Sequence, residues 1–434
     1  MAASKRISSK THRHKKLLPL AFALLLCCWV IFTWYYNYNI VDHLGVGIKT
    51  QSSQLLLKDL PTVAETIQEE PFCDTAYLLN EEYHTQYAKG QWLAKGESAS
   101  CTVIDEQNVV DAKPSPYWHT GPHLQCAAPS TWNISVGSAR QAADYTCDYS
   151  VERECTNIKF NNSLSEEVRI HEAMRWEWHP TDGCRMHSWN KERVIQPNTR
   201  MFMVGDSITT DQGEALRCTL PTNVQEQLKI VRNDDLGYSL MNNGTDGSEG
   251  RKIANLIDPE SSPLDLIKRA KDALNEFWQG VFETTDPIDT VNDILLLNTG
   301  AHWTVEPIQA EKLFQLVAGA IKENFRGMVV FRTNVMGHNE CHRFSSPLPH
   351  DDEQIQKKMY NWADFRAYNE AVVRAFQREG VPNFRVLDLS MFESRPDGHV
   401  MYGDCLHYCK PGIPDIWNKN FLFHVIHQVP SLAA

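Results

Sequence analysis

Acid is missing from the first sixteen residues, and charge of either sign is missing from the twenty that follow. Residues 1–16 carry Lys5, Arg6, Lys10, Arg13, Lys15 and Lys16, while Leu17 to Tyr36 is uncharged throughout. A twenty-residue uncharged run is long enough to cross a bilayer as one helix. A cleaved signal peptide is the rival reading, but its apolar core is normally shorter and followed by small residues. Here Trp34-Tyr35-Tyr36-Asn37-Tyr38 follows instead, in the manner of an interfacial aromatic belt, and the basic flank should stay cytosolic. The expectation is a cytosolic tail at 1–16, a transmembrane signal anchor at 17–36 and a lumenal remainder. Beyond the tail positive charge is scarce: 42 Lys/Arg less those six leaves 36 against 54 Asp/Glu, a charge of −18. That argues against a nucleic-acid or polyanion substrate and suits a neutral or weakly charged one. Internal repeats and low-complexity tracts are also lacking, which argues against a solenoid.

Ten of the twelve cysteines lie beyond the apolar run, at 73, 101, 126, 147, 155, 184, 218, 341, 405 and 409. An even lumenal count reads as disulfides. Zinc is the alternative at Cys405 and Cys409 with His407 between them, but no second C-x-x-C pair supports it, so no metal is expected. Sequons stand at Asn133, Asn161 and Asn243. Twelve Trp suggest deep packing or a carbohydrate-contacting surface.

Residues 37–70 read as a polar stem. The stretch 71–195 is irregular and rich in Cys, Trp and turn residues, as expected of a disulfide-stapled minor lobe. From about 196 the texture changes. Short apolar runs at Met201–Val204, Leu228–Val231, Ile294–Leu297, Met328–Phe331 and Val386–Leu389 alternate with helical patterns at 210–216, 264–278, 313–321 and 362–376. Continuous apolar strands alternating with helices predict an α/β domain over 196–434, with a parallel sheet covered on both faces. In such sheets functional residues gather at the carboxyl ends of strands. Ser207, Asn298, Arg332-Thr333 and the segment after Leu389 all sit at such ends.

Two short motifs supply the chemistry. Gly205-Asp206-Ser207 follows the first of these apolar strands, and Asp404-Cys405-Leu406-His407 lies near the C-terminus. A serine hydroxyl becomes a nucleophile when a base takes its proton; His407 is the candidate base, and Asp404 would fix its tautomer. Donors for an oxyanion are also needed. The Ser207 N–H and the Asn298 side-chain amide are candidates, with Gly205 beside them. Each residue also has a bland reading: Asp206-Ser207 as a helix cap, Asp404 as a turn former, Asn298 as a cap.

The same residues carry a family resemblance. Gly205-Asp206-Ser207-Ile208 with Gln212, Leu216 and Cys218 resembles the GDS segment of the plant trichome birefringence-like proteins, within the esterase-like SGNH superfamily. Asp404 through Asn418 resembles that family's D-C-x-H-W-C-x-P-G-x-P-D-x-W-N signature almost throughout. Arg175-Trp176 with Pro180 and Gly183-Cys184 resembles its R-W-x-P-x-G-C. Asn298-Thr299-Gly300 with His302-Trp303 resembles N-T-G-H-W-W, and Phe331-Arg332-Thr333 through His338 resembles F-R-T-x-S-P-x-H. The resemblance implies an SGNH-hydrolase-like three-layer α/β/α fold with a central parallel sheet. It also implies a Golgi single-pass type II protein whose lumenal domain acetylates polysaccharide hydroxyls. Ser207, His407 and Asp404 carry over as the triad. No bound cofactor is implied; an acetyl donor, with acetyl-CoA one candidate, and a polysaccharide acceptor are. The family's cysteine order implies Cys147–Cys218, Cys155–Cys409 and Cys341–Cys405 as bridges, the last two clamping the Asp404/His407 loop, and leaves the partners of Cys73, Cys101, Cys126 and Cys184 open.

The sequence departs from the family at Asp211-Gln212-Gly213, where the family has Asn-Gln-Trp. It departs again at Ala301, which intervenes before His302, and at Glu177-Trp178-His179, which enlarges the R-W-x-P stretch. These changes bear on the acceptor more than on the chemistry. The leading expectation is a polysaccharide O-acetyltransferase working through an acyl-serine, with an aromatic groove contacted by Arg332, His338 and Trp303. A carbohydrate acetylesterase is the alternative, and a non-catalytic polymer-binding protein the third.

Overall fold

A computed structural model of the chain describes residues 70–82, 84–104, 123–148, 153–155, 163–195, 199–232, 290–298, 307–349, 362–400 and 404–428. The expected tail, anchor and nearly all of the stem lie outside these residues, as do the helix at 264–278, Trp303, Asn161 and Asn243. Among the described residues no helix is long and apolar enough to cross a membrane. Asn133 is described and exposed.

Five strands form one parallel sheet: β5 (Met201–Gly205), β6 (Leu228–Arg232), β7 (Ile294–Leu297), β8 (Met328–Arg332) and β9 (Phe384–Leu387). Their spatial order is β6-β5-β7-β8-β9, every pair parallel. The chain therefore leaves β5 in one direction to reach β6 and in the other to reach β7, β8 and β9. Right-handed crossovers then place the β5–β6 helix on one face and the later helices on the other. The β5–β6 helix (Ser207–Thr219) packs against both strands and against the C-terminal helix at 413–427. On the other face Pro307–Asn324 packs against Phe365–Glu379, which ends on a left-handed Gly380 (φ 62°). Every residue of β5, β7 and β8 is buried, as two-sided cover demands. This is the α/β architecture with a central parallel sheet that the alternating pattern implies.

Register puts the strand ends side by side: Val204 opposite Leu297, Leu297 opposite Phe331, Arg332 opposite Leu387. The residues just beyond them share one edge, and the switch point falls between β5 and β7.

The preceding segment is more regular than its sequence suggests. β1 (Gly90–Ala94) pairs antiparallel with β4 (Trp176–Pro180), and β2 (Ser100–Ile104) with β3 (His123–Ala127). The enlarged Glu177-Trp178-His179 stretch is the body of β4. Helix α1 (Ser163–Met174) buries Glu166, Glu167, Arg169 and Glu172. Each of these has partners. Glu167 accepts from the N–H groups of Gly137 (2.6 Å) and Ala139 (2.7 Å), and Glu172 from Ser98 Oγ (2.8 Å) and Ala99 N (2.7 Å). Arg169 donates to the carbonyls of Asp397 (3.1 Å) and His399 (3.2 Å). Cys73, Tyr87, Trp178 and Val194 of this segment share one apolar cluster with the sheet strands.

Among the described residues five disulfides are present: Cys73–Cys184, Cys101–Cys126, Cys147–Cys218, Cys155–Cys409 and Cys341–Cys405. The last three are the pairings that the resemblance implies. Cys405 and Cys409 sit in different bridges, so neither offers a thiolate to zinc. The sulfurs grouped with His342 at Cys341 and Cys405 are bonded to each other as well. None of the described tryptophans is exposed. Trp92, for example, packs edge-on to Trp178 and Phe392, so among these residues tryptophan is used for packing.

Candidate active site

The turn out of β5 is built by three adjacent residues. Gly205 has no room for a side chain, since a Cβ there would lie 2.4 Å from Thr209 Oγ1 and 2.5 Å from the Asn298 carbonyl oxygen. Asp206 caps the next helix, α2 (Ser207–Thr219), its Oδ1 accepting from Ile208 N at 3.0 Å and more weakly from Thr209 N at 3.4 Å. The capping reading of Asp206 is thus correct. Ser207 is the first residue of α2, at the positive end of the helix dipole.

Ser207 Oγ lies 2.7 Å from His407 Nε2. His407 Nδ1 lies 2.9 and 2.8 Å from the two oxygens of Asp404. A carboxylate only accepts, so Nδ1 carries the proton, and Nε2 presents its lone pair to the serine hydroxyl. Asp404 also shapes the turn, accepting from the N–H groups of Leu406 (3.3 Å) and His407 (3.1 Å). Burial raises the Asp404 carboxyl, but the His407 hydrogen bonds and charge, with Arg153 adding to them, outweigh burial and hold it down to about 2. The three sequence-selected residues therefore form one hydrogen-bonded series, the serine 3% exposed and the other two side chains 14–16% exposed.

The loop carrying Asp404 and His407 is fixed from several sides. The two disulfides hold Cys405 and Cys409. The His407 carbonyl accepts from Val400 N (3.0 Å) and from the ring N–H of His399 (2.9 Å). His399 is buried, stacks on Tyr408 with ring centroids 4.1 Å apart, and is held well below the usual imidazole range by desolvation and by His338 beside it.

Three other sequence candidates take different places. The Asn298 amide is spent inside the protein: Nδ2 donates to the Arg332 carbonyl and to Asn334 Oδ1, both at 3.0 Å, and Oδ1 accepts from Thr209 Oγ1 at 3.3 Å. Its two N–H groups are committed, so it is a buried strut rather than an oxyanion donor. Arg332 is fully buried and donates to Thr209 Oγ1 (3.1 Å) and the Thr333 carbonyl (3.3 Å). Burial lowers it to about 10, with Asp206 and Asp211 opposing. His338 is buried between His399 Nε2 (2.6 Å) and the Glu393 carbonyl (2.7 Å), and burial pushes it down to about 4. Neither reaches a surface groove, so the expected acceptor contacts at Arg332 and His338 do not hold; Trp303 lies outside the described residues. The Ser207 main-chain N–H stays a candidate oxyanion donor by position. Sequence reading missed Arg153, Arg169, His399 and Lys410, which surround the loop; their only sequence signal is adjacency to Cys155, Cys409 and the helix that packs there.

Residues 308–425 match the PC-Esterase family, described as a GDSL/SGNH-like acyl-esterase family found in Pmr5 and Cas1p. That span holds Asp404 and His407; Ser207 precedes it. The chain is 24% identical over 328 residues to trichome birefringence-like 7 of Arabidopsis thaliana, covering 63% of this chain and 69% of that protein. It is 23% identical over 317 residues to xyloglucan O-acetyltransferase 2 of the same plant, covering 58% of this chain and 73% of that one. Xylan O-acetyltransferase 7 of Oryza sativa subsp. japonica is 22% identical over 325 residues, covering 58% and 52%. Residues 308–425 thus resemble the PC-esterase family, and the similar curated proteins include the trichome birefringence-like proteins that the motifs resemble.

Proposed function

We propose that this protein is an O-acetyltransferase that moves acetyl groups onto hydroxyls of a cell-wall or secreted polysaccharide through an acyl-serine. The observation that carries the reading is the unbroken Ser207–His407–Asp404 contact series at the carboxyl edge of the sheet. Relatives named as xyloglucan and xylan O-acetyltransferases support the transfer chemistry and the acceptor class.

In the first half-reaction Ser207 Oγ attacks the acetyl carbonyl of a donor, acetyl-CoA being one that fits, while its proton passes to His407 Nε2. Asp404 stays ionised and stabilises the imidazolium. The oxyanion is met by the Ser207 N–H at the start of α2. The bond to the leaving group breaks, and His407 returns the proton to it. In the second half a sugar hydroxyl attacks the acetyl carbonyl, its proton goes to His407, the Ser207–acetyl bond breaks, and Ser207 recovers its proton. The acidic surface favours a neutral polymer. The charge pattern of residues 1–36 supports an N-terminal signal anchor with the catalytic domain lumenal, and the family resemblance supports a Golgi location. The second reading is an esterase, in which water takes the sugar's place. The partial exposure of His407 and Asp404 favours it.

The test separates the two. Full-length protein in detergent is incubated with isotopically labelled acetyl donor and neutral oligosaccharides, and sugar ester and free acetate are measured by mass spectrometry. A well-positioned acceptor has an effective molarity far above the ~55 M of water, reaching about 10⁵ M or more. The correct oligosaccharide should therefore divert acetyl groups to sugar ester, saturably. Acetate release dominating with every hydroxyl-bearing polymer, with efficient deacetylation of acetylated ones, replaces the transferase by the esterase.

A further inference from the structure

A chain of charges runs into the back of the Ser207–His407–Asp404 series. Lys410, fully buried, donates to Asp211 Oδ1 at 2.9 Å and to Glu214 Oε2 at 2.6 Å. The same Asp211 oxygen accepts from Arg153 Nη1 at 2.9 Å. Arg153 Nε in turn lies 3.9 Å from Asp404 Oδ2. At that length the last contact is an ion pair rather than a hydrogen bond, so it acts by charge.

The position of Arg153 is over-determined. Its carbonyl accepts from Lys410 N at 3.2 Å, Glu154 forms a parallel bridge with Lys410, and Cys155 is bonded to Cys409. A segment far away in sequence is thereby laid along the loop just after His407. Arg153 itself holds φ 57°, a left-handed conformation that a bulky side chain adopts only when its surroundings enforce it. Asp211 stands where the family pattern has Asn. The substitution does not face an acceptor; it places a 1%-exposed carboxylate between two cations, where an amide could anchor neither by charge.

We propose that Arg153 is a positioning residue of the acyl-transfer site: delivered by the Cys155–Cys409 bridge and aimed by Asp211, it holds the Asp404 carboxylate in line with His407. This role rests on the acyl-serine reading. The electrostatics agree in sign. Arg153 sets a positive charge 3.9 Å from Asp404 Oδ2, which favours the ionised carboxylate. Arg169, His399 and Tyr408 also lie against the loop: Arg169 Nη2 reaches Cys409 Sγ at 2.9 Å, and burial lowers His399 and raises Tyr408. Without Arg153 one positive charge beside the His407–Asp404 pair is lost, which favours the protonated base at rest.

The experiment uses the full-length protein in detergent and a fluorophosphonate probe, whose phosphorus forms a bond to Ser207 Oγ as fluoride leaves and His407 takes the serine proton. The labelling rate is followed from pH 5 to 9 for wild type, Arg153→Gln, Arg153→Lys and Asp211→Asn. Arg153→Gln should label about tenfold more slowly or worse, with the acid limb of the profile moved up by about half a pH unit or more. Arg153→Lys should recover most of the rate. Asp211→Asn should shift the limb in the same direction by less, and the Arg153→Gln/Asp211→Asn pair should be non-additive. Peptide mapping of Cys155–Cys409 confirms that the scaffold is intact. If Arg153→Gln keeps the wild-type rate and limb, or if it and Arg153→Lys lose rate equally with no movement of the limb, the positioning role is overturned while the acyl-serine reading survives. Wild-type protein that does not label at Ser207 overturns the acyl-serine reading, and the role of Arg153 falls with it.

Discussion

Replacing Asn298 by Ala distinguishes a buried strut from an oxyanion donor. The side chain is 0% exposed and makes hydrogen bonds to the Arg332 carbonyl, Asn334 Oδ1 and Thr209 Oγ1. Truncation removes all three and leaves the Thr209 hydroxyl and the Arg332 carbonyl short of a partner in a site closed to water. An orphaned buried polar group costs about 1–3 kcal/mol. With the non-additivity expected of one network, the total is about 3–5 kcal/mol. In a domain of this size that corresponds to a fall in Tm of about 5–10 °C. The assay pairs urea unfolding, followed by tryptophan fluorescence with disulfides intact, with the fluorophosphonate labelling rate of the variant at a temperature where it is folded. Stability should fall by the amount given, and the folded fraction should label within about tenfold of wild type. An oxyanion donor would behave oppositely, costing about 10²–10³ in rate with little loss of stability. That pattern would refute the assignment of Asn298 to the interior.

Asp404→Asn should cost about 10³–10⁴ in kcat, as expected when the group holding the base's tautomer is neutralised. The folded Asp404 carboxyl lies near 2, below its unfolded value, so its ionisation contributes stability above about pH 4 that is lost as pH falls through about 2. The gap in unfolding free energy between wild type and Asp404→Asn, about 2 kcal/mol at neutral pH, should narrow between about pH 4 and pH 2; a constant gap would contradict the pairing. Gly205→Ala forces a methyl group against a backbone oxygen 2.5 Å away and should destabilise by about 1–3 kcal/mol or more and abolish labelling at Ser207, whereas a fully active, stable variant would mean that the β5–α2 turn is built differently. Removing Cys341–Cys405 as a double Ala variant should lower the labelling rate while far-UV circular dichroism at 25 °C stays native. Unchanged labelling would show that the loop keeps its shape without that bridge.

The strands were legible because two-sided burial writes them as unbroken apolar runs, and β5, β7 and β8 begin where those runs begin. The nucleophile and base were legible because a strand-end Gly-Asp-Ser and a D-x-x-H each carry a local signature. Strand-end position says which residues lie near the active edge, but not which way a side chain turns. For that reason Asn298 looked like an oxyanion donor, and Arg332 and His338 like acceptor contacts, while all three proved to be internal struts. Helix α1 was invisible for a related reason. Its inward face carries Glu166, Glu167, Arg169 and Glu172, whose burial is compensated by partners as far away as His399, so no apolar periodicity marks it. The pairing of β1 with β4 joins residues some eighty positions apart and leaves no local trace. Arg153 belongs to the same class, placed by Cys155–Cys409 rather than by its neighbours in sequence.

The central claim is that acetyl groups pass through Ser207. Full-length protein is mixed with isotopically labelled acetyl donor, quenched in acid within one turnover, digested and mapped by mass spectrometry. The labelled acetyl group should sit on the peptide containing Ser207, disappear when acceptor oligosaccharide is added before the quench, and be missing from Ser207→Ala. Acetyl label on another residue, or undiminished transfer by Ser207→Ala, would contradict the account.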